Sequence, residues 1–146
     1  GAKVAELQGV PGASATIDRG EGFHEAADKS LSVVASQTAN FDRAEGMSVM
    51  ENILQSDGSI QGVFAHNDEM ALGALQAIAA SGKDIKVIGF DATDDAVAEV
   101  KTGRMAATVA QKPDLMGETA IHTAMKLIAG EKVEKSLPVE VELITQ

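Results

Sequence analysis

The chain has 146 residues and a mass of 15.1 kDa, a length typical of a single domain. Its 12 basic and 22 acidic residues give a formal net charge of −10, without the cluster of Lys and Arg that a nucleic-acid surface needs. Cysteine is absent, which excludes disulfides, thiolate metal sites and thiol nucleophiles, and no apolar run approaches the roughly 18 residues of a membrane-spanning helix.

Short apolar runs alternate with helical patterns along the first half of the chain, which is typical of repeated strand–helix units. Strands are predicted at residues 3–7, 31–36 and 60–65. A helix capped by Ser14 or Thr16 is predicted to reach about Lys29, and a second helix covers residues 43–55. The residues of the first helix that we expect to face inward are Ile17, Phe23, Ala26 and Ala27.

The same alternation continues through the second half. Helices are predicted over residues 69–80, from 91–95 to 103, and from Pro113 to about Gly130, with strands at 85–90, 106–110 and 138–144. Val139, Val141 and Leu143 of the last strand are expected to face the core. Six strands and five helices in strict alternation predict an α/β fold, a three-layer doubly wound parallel sheet with strand order 2-1-3-4-5.

Polar side chains collect where the predicted strands end, which is where open parallel sheets bind ligands. They comprise one arginine fork, several amides, several carboxylates and an aromatic ring, an inventory that suits the hydroxyls and the apolar face of a sugar. The residues at this edge are Arg19, Asn40, Phe41, Asp42, Arg43, His66, Asn67, Asp68, Glu69, Phe90, Asp91, Thr93, Asp94, Asp95 and Gln111.

Taken one at a time, these residues have simpler interpretations. Asp91 or Asp94, and Asn67 or Asp68, are each more often helix caps than ligand contacts. Arg19 alone is typical of a solvated helix, and Phe41 of a loop residue that plugs the core. The set carries weight only because its members share one edge.

Other sequence motifs point away from catalysis and cofactors. The turn at residues 9–12 lacks the G-x-G-x-x-G and Gly-Lys-Ser/Thr patterns of phosphate loops, so a structural turn is favoured. His24, His66 and His122 lack metal-ligand spacing, and His24 and His122 are expected on solvated helix faces. No nucleophile elbow is present. We expect neither an enzyme nor a bound metal or cofactor.

Several stretches match a known family over the whole chain. They are ELQG (6–9), RGEGF (19–23), the FDR that ends 35–43, VFAHNDEMALGA (63–74), VIGFDAT (87–93), ATVAQ (107–111) and Pro113-Asp114. The chain resembles the C-terminal lobe of periplasmic sugar-binding proteins with the type I periplasmic binding protein fold, most closely the ribose-binding members. The resemblance implies that Arg19, Asn67, Asp91 and Gln111 hydrogen-bond sugar hydroxyls, that Phe41 lies against the ring and that Phe90 backs the site. His66 stands where a Gln is commoner.

The resemblance also implies a division of the chain. Residues 1–111 form the lobe core, the helix at 112–130 crosses to an N-terminal lobe that this sequence does not contain, and residues 131–146 supply a final strand. The helix then lacks its usual partner, so we expect its apolar residues to fold back on the sheet or to pack against a second copy in a homodimer.

The function implied is that of the solute-binding component of an ABC-type importer for D-ribose or a close monosaccharide such as allose. Its partners would be a membrane permease and, in some members, a chemotaxis receptor. The compartment would be periplasmic or extracellular, with or without a lipid anchor, although no signal segment is visible.

Three alternatives stay open at this point. The same motifs occur more loosely in the sugar-sensing cores of lactose-repressor-type transcription regulators, which would need a helix-turn-helix segment and a basic patch. A receiver phosphoacceptor would need an acidic pair after the first strand, where Gln8 and Gly9 stand. A truncated lobe without independent binding is compatible with the transport function.

Overall fold

The structure, a computed structural model, describes all 146 residues, in which six strands and five helices alternate along the chain. The strands are β1 (Lys3–Gln8), β2 (Ser32–Thr38), β3 (Gly62–Ala65), β4 (Lys86–Asp91), β5 (Ala107–Ala110) and β6 (Glu142–Ile144). The helices are α1 (Ser14–Ala27), α2 (Arg43–Ser56), α3 (Asp68–Ser81), α4 (Asp94–Lys101) and α5 (Pro113–Ile128). The predicted number and order of elements are confirmed.

The strands form one sheet in the order β2-β1-β3-β4-β5-β6, which confirms the predicted order of the first five. Those five are parallel, and β6 pairs antiparallel with β5 through Thr108 and Ile144. The last strand is much shorter than predicted, because β5 has only four residues with which it can pair. Val141 and Leu143 are 53% and 60% exposed, so the prediction that they face the core is wrong.

The hydrophobic core lies on one face of the sheet. It contains 18 buried residues, drawn from the strands, from α2, α3 and α4 and from the adjoining loops, and none comes from α1 or α5. Helices α2 and α3 cross in backbone contact at two buried glycines. A Cβ on Gly46 would lie 2.7 Å from the Met70 Cα, and one on Gly73 would lie 2.7 Å from the Met47 nitrogen.

Helix α1 covers the opposite face, where the Phe23 ring stacks on Phe64 of β3 with 5.1 Å between centroids. The prediction for its inward residues is half wrong, since Ile17 is 48% exposed and Ala26 is also exposed. The stripe that contacts the sheet comprises Gly20, Phe23, His24 and Ala27, at helical spacing. It includes a histidine because the sheet presents a carboxylate, Glu6, at that point.

The start of α1 also differs from the sequence expectation. Neither Ser14 nor Thr16 caps the helix: Ala13 is the N-cap and makes no side-chain cap bond. The Thr16 hydroxyl instead donates to the carbonyl of Val10 and ties the turn to the first helical turn.

Helix α5 contains no buried residue, so the expectation that it folds back on its own sheet is wrong. Its neighbours are in the segment that follows it, where Leu137 and Val139 share a shallow groove with Met116. The large apolar side chains left exposed on α5 are Leu115, Ile121, Met125, Leu127 and Ile128. None of the helices combines the length and the apolar character that crossing a membrane requires.

Candidate functional site

Four of the six predicted site residues form one chain of contacts, which joins the N-terminal half of α1 to the carboxyl ends of β4 and β5. The Arg19 guanidinium lies 3.9 Å from the centroid of the Phe90 ring, and its Nη2 is 3.5 Å from Asp91 Oδ1. Gln111 Nε2 donates to the same carboxylate oxygen over 2.9 Å. Cation, carboxylate, amide and aromatic ring thus converge, as the sheet topology predicted.

Burial and charge pairing have opposite effects on the pKa values of Asp91 and Arg19. Burial raises the pKa of Asp91, while the charge of Arg19 and the hydrogen bond from Gln111 oppose that shift. Burial likewise lowers the pKa of Arg19, against the charges of Asp91 and Asp68. The Asp91 side chain is 33% exposed, so the carboxylate is held from one side and open to solvent from the other.

The other two predicted residues, Asn67 and Phe41, contact each other and also have structural roles. The Asn67 side chain accepts a hydrogen bond from the Met70 N–H over 3.0 Å, which confirms its interpretation as a helix cap, and donates to the Phe41 carbonyl over 3.3 Å. The Phe41 ring lies directly against Gly9 and packs on the core, which is consistent with the plug interpretation. Both residues stand at the same edge as Asp91.

The backbone is strained where the site residues emerge. All four non-glycine residues with positive φ lie at this edge, in two pairs: Asn40 and Phe41, after β2, have φ of 52° and 60°, and Asp91 and Ala92, at the end of β4, have φ of 121° and 55°. Such conformations are costly for residues with a Cβ and persist only where surrounding contacts impose them.

A buried hydrogen-bonded cluster holds the Asp91 loop, and sequence reasoning missed it. Asp68 accepts bonds from the Thr93 N–H at 2.8 Å and from the Thr108 hydroxyl at 2.7 Å, while that hydroxyl also accepts from the Ala92 N–H at 3.2 Å. Burial raises the pKa of Asp68 against these bonds. Thr93 caps α4, so the alternative that Asp91 or Asp94 is the cap is wrong.

A second buried cluster lies under α1. Glu6 accepts from His66 Nε2 at 2.8 Å, from Gln8 Nε2 at 3.0 Å and from the Ser36 hydroxyl, and His24 Nε2 approaches it at 3.3 Å. Burial alone would raise the pKa of Glu6, but the hydrogen bonds lower it to about 2. His24 is 38% exposed and also reaches the buried Glu6, so the expectation of a solvated face is only partly right for it, whereas His122 is exposed as expected. The one available signal was a glutamate within an otherwise buried strand.

The rim of the site carries a further ion pair. Arg43 donates to both carboxylate oxygens of Glu69, over 2.9 Å and 2.8 Å, and to Asp95 over 3.1 Å, which raises the pKa of the guanidinium.

A groove of about 490 Å³ runs between α3 and α4 and includes none of the six predicted residues. No cluster of His, Asp and Glu is arranged to hold a metal ion.

Comparisons with known proteins agree with this architecture. Residues 1–132 match a family model described as a periplasmic binding protein domain. The ribose import binding protein of Bacillus subtilis (strain 168) is 58% identical over the whole chain, which covers 48% of that relative. The chain therefore spans about half the length of the curated relatives it matches.

Solved structures of solute-binding proteins share the fold. An ABC transporter periplasmic solute binding protein from Actinobacillus succinogenes 130z with bound D-allose aligns with a TM-score of 0.92 and 33% identity, over 98% of this chain and 51% of that one. A solute binding protein from Bacillus halodurans C-125 with bound myo-inositol aligns with a TM-score of 0.88 and 41% identity, over 98% and 51%.

Proposed function

Since the chain belongs to the periplasmic binding protein domain family, we propose that it forms the C-terminal, sugar-binding lobe of the solute-binding component of an ABC-type importer. The observation that carries the proposal is the contact chain from Arg19 through Asp91 to Gln111 at the sheet edge. The proposed ligand is D-ribose or a close monosaccharide such as allose, because the similar proteins include a ribose import binding protein and a structure with bound D-allose.

The proposed contacts follow from the chemistry of each group. A carboxylate only accepts hydrogen bonds and a guanidinium only donates them. Asp91 would therefore accept a hydrogen bond from one sugar hydroxyl, and Arg19 would donate one to a neighbouring hydroxyl. Gln111 and Asn67 would supply further amide contacts, and Phe41 and Phe90 would face the apolar side of the ring. One lobe leaves the sugar open to water, which weakens polar contacts, so we expect a Kd of order 1 mM for the chain alone.

An amide NMR titration of the 15.1 kDa chain with D-ribose tests the proposal. D91N removes the negative charge of the carboxylate that both Arg19 and Gln111 contact. D94N removes a carboxylate three residues away that neither of them contacts. We expect saturable shifts around the edge residues in wild type and in D94N, and their loss in D91N. Equal responses from all three proteins, or a response to glucose as strong as that to ribose, would count against the proposed site.

The division of the chain is part of the proposal. Residues 1–111 would form the lobe core, residues 112–130 would dock on an N-terminal lobe in the complete protein, and residues 131–146 would return a strand. The exposed apolar face of α5 supports this division, with Ile128 at 87% exposure. A permease would receive the sugar, and the parent protein would work in the periplasm or at the outer cell surface.

The same face would drive self-association of the isolated chain. Sedimentation equilibrium compares wild type with the double variant I121E/M125E, which places two charges on the apolar face of α5. The matched control V10E changes an exposed apolar residue in the turn before α1. We expect dimers in wild type and V10E and monomers in the double variant, whereas a monomeric wild type at high concentration would refute self-association.

A further inference from the structure

We propose that the buried Glu6–His66 pair positions Arg19, so that sugar binding depends on two residues that do not touch the sugar. The effect on sugar binding rests on the proposed function, whereas the effect on the position of Arg19 does not depend on it. His66 links the two ends of the arrangement: its ring nitrogen Nε2 donates to Glu6 Oε1 over 2.8 Å, and its backbone carbonyl accepts from Arg19 Nη1 over 2.6 Å.

His66 is fixed from three directions by β1 and the turn that follows it. Its backbone N–H donates to the Leu7 carbonyl at 2.9 Å, its Nδ1 accepts from the Gly9 N–H at 3.4 Å, and its Nε2 bonds to Glu6. These partners assign the hydrogen to Nε2, because Nδ1 must accept. Because both ring nitrogens of His66 are hydrogen-bonded, the ring fixes the backbone of His66. The His66 carbonyl that Arg19 binds is therefore fixed as well.

The pair also supports α1 next to Arg19. Gly20 lies directly on the two side chains: a Cβ there would stand 3.3 Å from His66 Cε1 and 3.4 Å from Glu6 Oε1. The height of α1 above the sheet at this turn is therefore set by the pair. Arg19, one residue earlier, then reaches Phe90 and Asp91.

Glu6 is maintained as an anion by groups from every element around it. Gln8 on β1, Ser36 on β2, His66 after β3 and His24 on α1 all direct polar atoms at its carboxylate, and His24 in turn bonds to Asp28. Glu6 is fully buried and cannot reach a ligand. Burying a carboxylate costs free energy unless hydrogen-bond partners are fixed around it. We therefore attribute to Glu6 a role in fixing the geometry of its neighbours, not in core packing.

The test uses three variants of the chain and one control. H66L removes both ring contacts, E6Q removes the charge, and H66Q retains an amide donor for Glu6 and an amide acceptor for Gly9. V63A is the control, because Val63 of β3 is buried like His66 and lies three residues before it, but belongs to the core on the opposite face of the sheet.

The first readout is the guanidinium NMR signal of Arg19 without sugar. We expect H66L and E6Q to shift it and to speed its exchange with water, and H66Q and V63A to leave it unchanged. The second readout is the Kd for D-ribose, which we expect H66L to raise about tenfold, the lower end of the loss that follows removal of outer hydrogen-bond partners at metal sites. H66Q should restore most of that affinity, because its amide can again donate to Glu6.

The outcomes separate the two proposals. An unchanged Arg19 signal in H66L and E6Q would overturn the positioning role, as would a loss of affinity in V63A equal to that in H66L. If H66L does not fold, E6Q decides the positioning role by the same Arg19 readout, because it removes the charge of the pair and keeps the His66 ring in place. If wild type binds no sugar, the proposed function of the isolated chain fails, and the Arg19 signal still decides the positioning role.

Discussion

The crossing of α2 and α3 allows a quantitative prediction for one added methyl group. Gly46 of α2 lies against the backbone of α3, and a Cβ there would stand 2.7 Å from both the Met70 Cα and the Met70 carbonyl oxygen. A Cβ in ordinary contact needs 3.4 Å, so G46A must separate the helices by about 3.4 − 2.7 = 0.7 Å to restore such a contact, and even an approach of 3.0 Å requires 3.0 − 2.7 = 0.3 Å. Neither atom can rotate away, because both belong to the backbone of α3.

The expected cost is the balance of two effects. Overpacking a well-packed core costs about 1–3 kcal/mol, and a clash between two backbones belongs at the upper end. Alanine is favoured over glycine in a helix by about 1 kcal/mol, which offsets part of that cost. We therefore expect G46A to lower the free energy of unfolding by about 2 kcal/mol.

Urea unfolding followed by circular dichroism measures this change. With a slope of about 1–3 kcal/mol per molar urea, the midpoint should fall by roughly 1 M. Gly22 supplies the control, because nothing lies within 4 Å of a Cβ there. G22A should stabilise the chain by about 0.5–1 kcal/mol through helix propensity alone. A G46A variant as stable as wild type would refute the steric reasoning, and a destabilised G22A would show that the propensity offset is misjudged.

Two further predictions concern the buried clusters. Because hydrogen bonding lowers the folded pKa of Glu6 from 4.5 to about 2, its stabilisation is present above pH 4.5 and is lost as the pH falls towards 2. Urea titrations across pH should show a stability difference between wild type and E6Q that is constant above about pH 5 and shrinks by roughly 3 kcal/mol below it; a difference that does not change with pH would contradict the ionised Glu6. T108V leaves a buried Asp68 oxygen and the Ala92 N–H without their partner and should cost about 1–3 kcal/mol in thermal unfolding. The matched T123V, whose hydroxyl bonds only a carbonyl of its own helix, should cost under about 0.5 kcal/mol, and equal costs would argue against the Asp68 cluster.

Local signals predicted the fold well where periodicity and chemistry agreed. The helix over α3 was predicted to within about one residue, since an apolar stripe follows a capping Asn67 and ends before Gly82 in the left-handed conformation. The same kind of signal misled at the last strand. Alternation over residues 138–144 is typical of a half-buried strand, but only three of those residues find a partner in the four-residue β5.

For the candidate site, too, the sequence predicted the residues that follow a general rule of the fold and missed the contacts that depend on long-range strand pairing. The parallel-sheet rule brought Arg19, Asp91 and Gln111 to one edge, and the structure joins them. It could not predict that Glu6 pairs with His66, because the two are 60 residues apart and the pairing depends on adjacent strands in a set register. For the same reason, the contact between His24 and Glu6 could not be predicted, because the helix pattern does not reveal a carboxylate on the sheet beneath it.

The one-sided core separates two kinds of change that a protein lineage can accumulate. Substitutions among the 18 core residues, which come from the strands, from α2, α3 and α4 and from the adjoining loops, alter the stability of the fold, yet none of these residues belongs to the helix that carries Arg19. Substitutions on α1 act instead on the separate interface that Gly20, Phe23, His24 and Ala27 make with the opposite face of the sheet. A chain organised in this way can change in stability on one side of its sheet without a direct change to the helix that carries Arg19.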